Sequence, residues 1–104
     1  MKPNISCKAV EKRAGSLQRT LSLVGDKWSL LMIGYMMKGP VTFSELEKSL
    51  VGISPRTLSE RLDDLEQYGV VKRRLYTDKP ARYLYDLTPK GQGLRPALIE
   101  LASW

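Results

Sequence analysis

Two helix starts set twelve residues apart restrict the fold of this chain more than any other feature in it. Thr42-Phe43-Ser44-Glu45 has the form of a capping box. The Thr42 hydroxyl is placed to accept from the Glu45 amide, and the Glu45 carboxylate reaches back to the Thr42 amide. Val41, just before the cap, is positioned to pack on Leu46 as a hydrophobic staple. Phe43, Leu46 and Leu50 make an inner face, and Gly52 closes the segment. Ser54-Pro55 then opens the next helix, since serine is a good N-cap and proline at the first helical position lacks only an amide that would go unpaired anyway. Leu58, Leu62 and Leu65 form its apolar stripe, and Gly69 stops it. Two short helices joined by a tight, glycine-containing turn make a helix-turn-helix.

The flanking segments complete the architecture. Leu17, Leu21 and Val24 fall on one face of a helix over about residues 16–24, stopped by Gly25. Asp26 is placed to cap a second helix from Lys27 to about Lys38, ended by Gly39-Pro40. Trp28, Leu31, Met32 and Tyr35 share one of its faces and Leu30, Ile33 and Met37 another, so this helix is expected at the core. After Gly69 the period changes to two, with Val71, Arg73 and Leu75 alternating with Lys72, Arg74 and Tyr76. A five-residue turn, Thr77–Ala81, leads to a second strand-like run, Arg82–Leu87. Thr88-Pro89 caps a last helix carrying Leu94, Leu98 and Leu101 on one face with Trp104 beyond, and a kink is expected near Pro96. The expectation is a mainly α fold with a small β-hairpin wing, a winged helix-turn-helix, over residues 15–104, preceded by a flexible basic tail over residues 1–14.

A winged helix-turn-helix points to nucleic acid, and the net charge of +6 agrees with a polyanionic partner. The distribution weakens that argument, because residues 1–20 hold five basic residues and one acidic, and so supply +4 of the +6. The informative charges lie on the second helix of the motif. Opposite its leucine stripe stand Arg56, Glu60, Asp63 and Gln67, with Thr57, Arg61 and Asp64 on a flank. The N-terminal half offers Ser54, Arg56, Thr57, Ser59 and Arg61, side chains that pair with base edges or phosphates, whereas Asp63, Asp64 and Glu66 in the C-terminal half repel phosphate. That polarity suits a recognition helix entering the major groove N-terminus first. Lys79 at the hairpin tip and Arg82 just after it suit the adjacent minor groove or its phosphates. A solvated amphipathic helix and an ordinary polar turn are the competing explanations. Arg73 is open to a structural ion pair, and Tyr83 and Tyr85 to sheet packing.

Four stretches resemble the HxlR family of bacterial and archaeal, MarR-like regulators. Leu23-Val24-Gly25-Asp26-Lys27-Trp28-Ser29-Leu30-Leu31 is similar to the family's opening segment, and Gly39-Pro40-Val41-Thr42-Phe43-Ser44-Glu45-Leu46 to its next. Gly52-Ile53-Ser54-Pro55-Arg56-Thr57-Leu58-Ser59-Glu60-Arg61-Leu62 and Tyr83-Leu84-Tyr85-Asp86-Leu87-Thr88-Pro89-Lys90-Gly91 follow in the family's order and spacing. The resemblance implies a homodimer built mainly from the first and last helices, binding a pseudo-palindromic operator in double-stranded DNA to repress or activate transcription, without catalysis or cofactor. A dimer is also expected from the last helix, whose apolar face (Leu94, Leu98, Leu101, Trp104), with Leu17 and Leu21 on the first, asks for a partner.

Family members often carry a cysteine before the first helix, usually followed by proline; Cys7 matches the position, but Lys8 replaces the proline. In some members this cysteine senses oxidants or electrophiles. Lys8 and Lys12 would favour the reactive thiolate at Cys7, and with one cysteine in the chain a disulfide would join two subunits or take up a small thiol. An inert cysteine is the alternative. The chain has no histidine, which removes Ser-His and Cys-His nucleophile pairs and histidine-containing metal sites, and no glycine-rich phosphate loop. An enzyme is therefore not expected, nor is a bound metal. No apolar run approaches the roughly 20 residues that span a bilayer, and a cytoplasmic location is the default. A winged helix that binds protein rather than DNA is the second reading. It predicts a weak, salt-insensitive response to duplex DNA, where the first predicts an affinity that falls steeply with salt.

Overall fold

The computed structural model describes residues 14–104, and each capped helix begins where its cap places it. In chain order the elements are α1 (Ala14–Val24), α2 (Lys27–Met36), β1 (Val41–Thr42), α3 (Phe43–Ser49), α4 (Pro55–Gln67), β2 (Val71–Asp78), β3 (Ala81–Leu87), α5 (Pro89–Gln92) and α6 (Arg95–Ser103). The basic tail expected over residues 1–14 lies outside the described residues up to Ala14, where α1 begins, and so does Cys7.

Asp26 caps α2, its Oδ1 accepting from the Ser29 amide at 2.8 Å. Both halves of the Thr42 capping box form: the Glu45 amide donates to the Thr42 hydroxyl at 3.1 Å and the Thr42 amide to Glu45 Oε1 at 2.8 Å. Ser54 Oγ accepts from the Thr57 amide at 3.0 Å, with Pro55 at the start of α4. A cap of this kind contributes about 1 kcal/mol, enough to decide where a short helix begins.

The core gathers around α2 and α4. Met32, Ile33 and Met36 of α2 meet Leu58, Leu62 and Leu65 of α4, with Leu46, Leu50 and Ile53 from the turn region and Val70, Val71, Tyr85 and Leu87 from the sheet. The expectation that α2 sits at the core holds for one of its two apolar faces. Ser29, Met32, Ile33 and Met36 are buried, but Leu31 and Tyr35 are 46% and 40% exposed. They lie along a shallow apolar groove between α2 and α6, lined also by Leu98, Ile99 and Leu101. Hydrophobic periodicity reports that a face is apolar, and whether another element covers it is a tertiary fact.

The sheet has three antiparallel strands in the order β1-β3-β2. β2 pairs with β3 from Val71↔Leu87 to Leu75↔Tyr83, and β1 pairs through Val41↔Tyr85 and Thr42↔Leu84. The sequence assigns Val41 and Thr42 only to a staple and a cap, because two residues are too few to show a strand period. The hairpin tip is also shorter than the five residues expected. Thr77 and Asp78 pair with Arg82 and Ala81, leaving only Lys79-Pro80 between the strands. The register shifts between Leu75 and Thr77, so that Tyr76 sits in a β-bulge.

The kink expected near Pro96 is a full break. α5 ends at Gln92 and α6 begins at Arg95, which puts Pro96 in the first turn of α6, where its missing amide leaves no bond unmade. Arg95 Nη2 donates to the Met37 carbonyl at 2.8 Å and so ties the start of α6 to the end of α2.

One junction fixes the wing on α4. Gly69, with φ of +77°, turns the chain out of α4 in a conformation that favours glycine. The Thr88 hydroxyl bonds the Gly69 carbonyl and accepts from the Gly91 amide at 3.0 Å. Lys90 Nζ donates to the Tyr68 carbonyl at 2.8 Å. A Cβ on Gly91 would lie 2.2 Å from the Val70 carbonyl oxygen, so α5 can sit against this link only with glycine there.

Candidate nucleic-acid interface

α4 presents its N-terminal half to solvent. Ser54, Arg56, Ser59 and Glu60 are exposed and Thr57 is half-buried. Ser54 Oγ donates to Thr57 Oγ1 at 2.9 Å while accepting from the Thr57 amide, so the Thr57 hydroxyl keeps its own proton to donate outward. The Arg56 side chain is 87% exposed and pairs with Glu60 of its own helix, Nε to Oε2 at 3.2 Å. A pair this exposed contributes about 0.3–0.5 kcal/mol and leaves the guanidinium available.

Arg61, expected in the same contact set, is partly exposed and faces carboxylates of its own chain. Its Nε lies 3.1 Å from Asp26 Oδ2 and its Nη1 3.8 Å from Asp64. The Nε atom is buried and the contact is out of hydrogen-bond alignment, so charge holds the pair. The partner is the residue that caps α2, and Arg61 thereby links α4 to the start of the core helix α2.

Arg73 takes the structural role that its alternation with Val71 and Leu75 left open. Its guanidinium stands 4.7 Å from the Tyr83 ring centre, and its Nε is 3.6 Å from Glu66 Oε2. The Tyr85 hydroxyl first, and then the Glu66 carboxylate, hold its pKa above the ordinary value. Tyr85 is buried and Tyr83 packs against the core cluster, so both serve the sheet.

Lys79 and Arg82 are exposed on the wing, as expected, and neither forms an ion pair with a described carboxylate within 4 Å. Lys72, Arg74 and Tyr76 of β2 are also exposed. The period-two pattern already separates them from the inward Val71, and with that pattern they could have been added to the candidate set. Between the wing and α3 runs an open trough of about 440 Å³ lined by Thr42, Ser44, Arg73, Tyr76, Arg82 and Tyr83 among others, with no carboxylate in its wall. Sequence spacing does not reveal this trough, because β1 brings the start of α3 beside the wing.

Of the six residues expected at a dimer contact, Leu94 and Leu98 pack on the core of their own chain. Leu17, Leu21, Leu101 and Trp104 are exposed. Among the described residues no group of three or more His, Cys, Asp or Glu side chains is placed to hold a metal ion. No described helix is long and apolar enough to cross a membrane.

Comparison with known proteins agrees with this geometry. The family described as HxlR-like helix-turn-helix matches residues 23–104. The HTH-type transcriptional regulator YvaP of Bacillus subtilis is 39% identical over 87 residues, covering 84% of this chain and 81% of that protein. The solved structure of the redox regulator HypR in its reduced form superposes with a TM-score of 0.81 at 30% identity, over 86% of this chain and 88% of that one. The quinone-bound structure of YodB from B. subtilis gives 0.75 at 33% identity, over 86% and 94%. With the family match spanning the helix-turn-helix, the wing and the last helix, this chain belongs to the HxlR family of winged helix-turn-helix transcriptional regulators.

Proposed function

We propose that this regulator binds a pseudo-palindromic operator in double-stranded DNA as a homodimer, that it represses the genes so marked, and that Cys7 makes it responsive to oxidants or electrophiles. The observation that carries the DNA reading is the N-terminal half of α4. Ser54, Arg56, Thr57 and Ser59 stand at the solvent end of a helix whose opposite stripe, Leu58, Leu62 and Leu65, is fully committed to the core. Arg56 is suited to the paired acceptors of guanine, and Ser54, Thr57 and Ser59 to bases or phosphates. Lys79 extends the contact from the wing tip into the neighbouring minor groove. Arg61 acts by holding α4 against α2.

The exposed Leu17, Leu21, Leu101 and Trp104 support the homodimer, in which a twofold axis presents two α4 helices to two half-sites. The redox reading draws support from the relatives, one described as a redox regulator and one solved with quinone bound. In this chain Cys7 lies outside the described residues.

Footprinting on DNA upstream of the chain's own and neighbouring genes tests the whole reading, with and without diamide. A protected twofold-symmetric site, weakened by Arg56→Ala and released by diamide in the wild type but not in Cys7→Ser, is the expected result. Weak, salt-insensitive association with every duplex would instead assign the fold to protein binding.

A further inference from the structure

Two cations stand together where the proposed DNA contacts do not reach. Arg19 of α1 and Lys90 of α5 line a cavity of about 330 Å³ between α1, the C-terminal end of α4 and α5. α4 has 13 residues, so Ser54 at its other end lies about 20 Å away. Lys79 is also remote, since β2 and β3 run from this end of the wing out to the tip. Asp63, Asp64 and Glu66 occupy this half of α4 and oppose a polyanion, yet none of them lines the cavity. Neither cation pairs with a described carboxylate within 4 Å. Arg19 Nη2 donates to Ser16 Oγ at 3.2 Å, an exposed contact along α1. Lys90 Nζ donates one of its three protons to the Tyr68 carbonyl. Below the cations the cavity is apolar: Val70 is buried, and Leu23 and Leu94 are half-buried. Ser16, Thr20 and Leu23 recur at i, i+4 and i+7 and share one face of α1. Leu17 and Leu21, proposed for the dimer, lie about a third of a turn round the helix, on another face.

We propose that this cavity binds a small organic monocarboxylate with an apolar body, its carboxylate between Arg19 and Lys90 and its body on Leu23, Val70 and Leu94. The volume falls at the lower end of the range for small-molecule sites, about 300–1,000 Å³. An apolar floor with a few converging charges is the make-up of such a site. Guanidinium and ammonium groups both donate to carboxylate oxygens and accept nothing, so the pair selects for an anion. An inorganic anion would satisfy the charges and leave the floor uncovered. A neutral apolar molecule would cover the floor and strip water from both charges without replacing it. The assignment stands independently of the DNA-binding reading. Lys90 also closes the end of α4 through the Tyr68 carbonyl, beside the bond from Thr88 to Gly69. A carboxylate on Lys90 therefore acts at the link between α4 and the wing.

Isothermal titration calorimetry of the full chain with phenylacetate tests this, with acetate and the neutral phenylacetamide as comparisons. Phenylacetate should bind, and each comparison should bind at least about tenfold more weakly, one for want of an apolar body and the other for want of charge. Arg19→Gln and Lys90→Gln should each weaken phenylacetate by about tenfold, the loss of one charge-assisted hydrogen bond. Lys90→Gln also releases the Tyr68 carbonyl, so Arg19→Gln, on an exposed stretch of α1, separates a lost ligand contact from a loosened fold. Thermal melts of the free proteins should show Arg19→Gln unchanged. In the wild type, the amide resonances of Tyr68, Gly69 and Gly91 should shift as phenylacetate is added. No binding at millimolar phenylacetate would overturn the proposal, and so would acetate binding as well as phenylacetate. Wild-type affinity in both variants would make Arg19 and Lys90 ordinary solvated charges and refute the site. Affinity lost instead in Lys38→Gln, with shifts confined to α2 and α6, would move the ligand to the groove between those helices and refute it equally.

Discussion

Replacing Arg61 should cost stability before it costs DNA recognition. The Arg61–Asp26 contact is 3.1 Å long, and the two side chains are 32% and 40% exposed. Breaking a fully buried ion pair costs about 3–5 kcal/mol and a fully exposed one about 0.2–1 kcal/mol. A pair at intermediate exposure falls between, at about 1–2 kcal/mol. Arg61→Ala also removes the aliphatic stem of a half-buried side chain, so its total cost should reach about 2 kcal/mol. For a chain of this size that corresponds to a fall of roughly 10 °C in Tm. Asp26→Asn removes the charge but keeps a good N-cap for the Ser29 amide, and the double variant closes a thermodynamic cycle. Urea unfolding of the four proteins at one fixed concentration, so that subunit association does not shift the midpoints, should give a coupling energy of about 1 kcal/mol. A coupling below about 0.3 kcal/mol, within ordinary additivity, would refute the reasoning. So would an Arg61→Ala protein that melts like the wild type and yet loses operator binding. Either result would return Arg61 to the DNA surface.

Two other substitutions test how the wing is held and whether α6 carries the proposed dimer contact. Gly91→Ala places a Cβ 2.2 Å from the Val70 carbonyl oxygen and 3.1 Å from Leu87 Cδ2, so backbone must move. A loss of about 3 kcal/mol in urea unfolding, the upper part of the range for overpacking, is expected. Leu101→Glu puts a charge on the exposed face of α6, where the side chain is 63% exposed and makes little contact within the subunit. It should leave secondary structure by circular dichroism unchanged while analytical ultracentrifugation shows a monomer, and a dimer that persists would move the interface elsewhere.

Local chemistry explains which parts of the fold can be read from the sequence. A cap is a contact between residues three apart, so Asp26, Thr42, Ser54 and Thr88 announce α2, α3, α4 and α5 without tertiary information. The leucine stripe of α4 is likewise legible, because helical period and burial coincide there. β1 is hidden because its partners, Leu84 and Tyr85, lie some forty residues downstream of it. The Arg61–Asp26 contact is hidden for the same reason: Asp26 caps another helix, and both residues already had sufficient local explanations, one as a cap and one as a DNA contact. In each of these cases a side chain with a good local reading also carried a long-range one. The trough combines both difficulties, since Ser44, Tyr76 and Arg82 come from three separate elements and a bulge is needed to bring one of them in.

Arg56, Arg61 and Arg73 divide according to what faces them, and the division bears on how α4 would meet DNA in the proposed complex. Arg61 and Arg73 are bound to Asp26 and Glu66, residues on other elements, and withdrawing them would loosen the packing that positions the motif. Arg56 is held only by Glu60, one turn along the same exposed helix. Exchanging that partner for a guanine edge forfeits about 0.5 kcal/mol at most, whereas a bidentate pair discriminates between bases by about 1–3 kcal/mol. In the proposed complex, Glu60 competes with DNA for Arg56. On a non-cognate duplex no guanine edge would repay Arg56 for leaving Glu60, so the pair would persist and withhold Arg56 from phosphate. Glu60 would then weaken non-cognate binding more than operator binding. Glu60→Gln should therefore tighten binding to scrambled DNA more than to the operator and narrow the ratio between them. Equal tightening on both duplexes, measured by anisotropy at one salt concentration, would show that Glu60 contributes only a general repulsion.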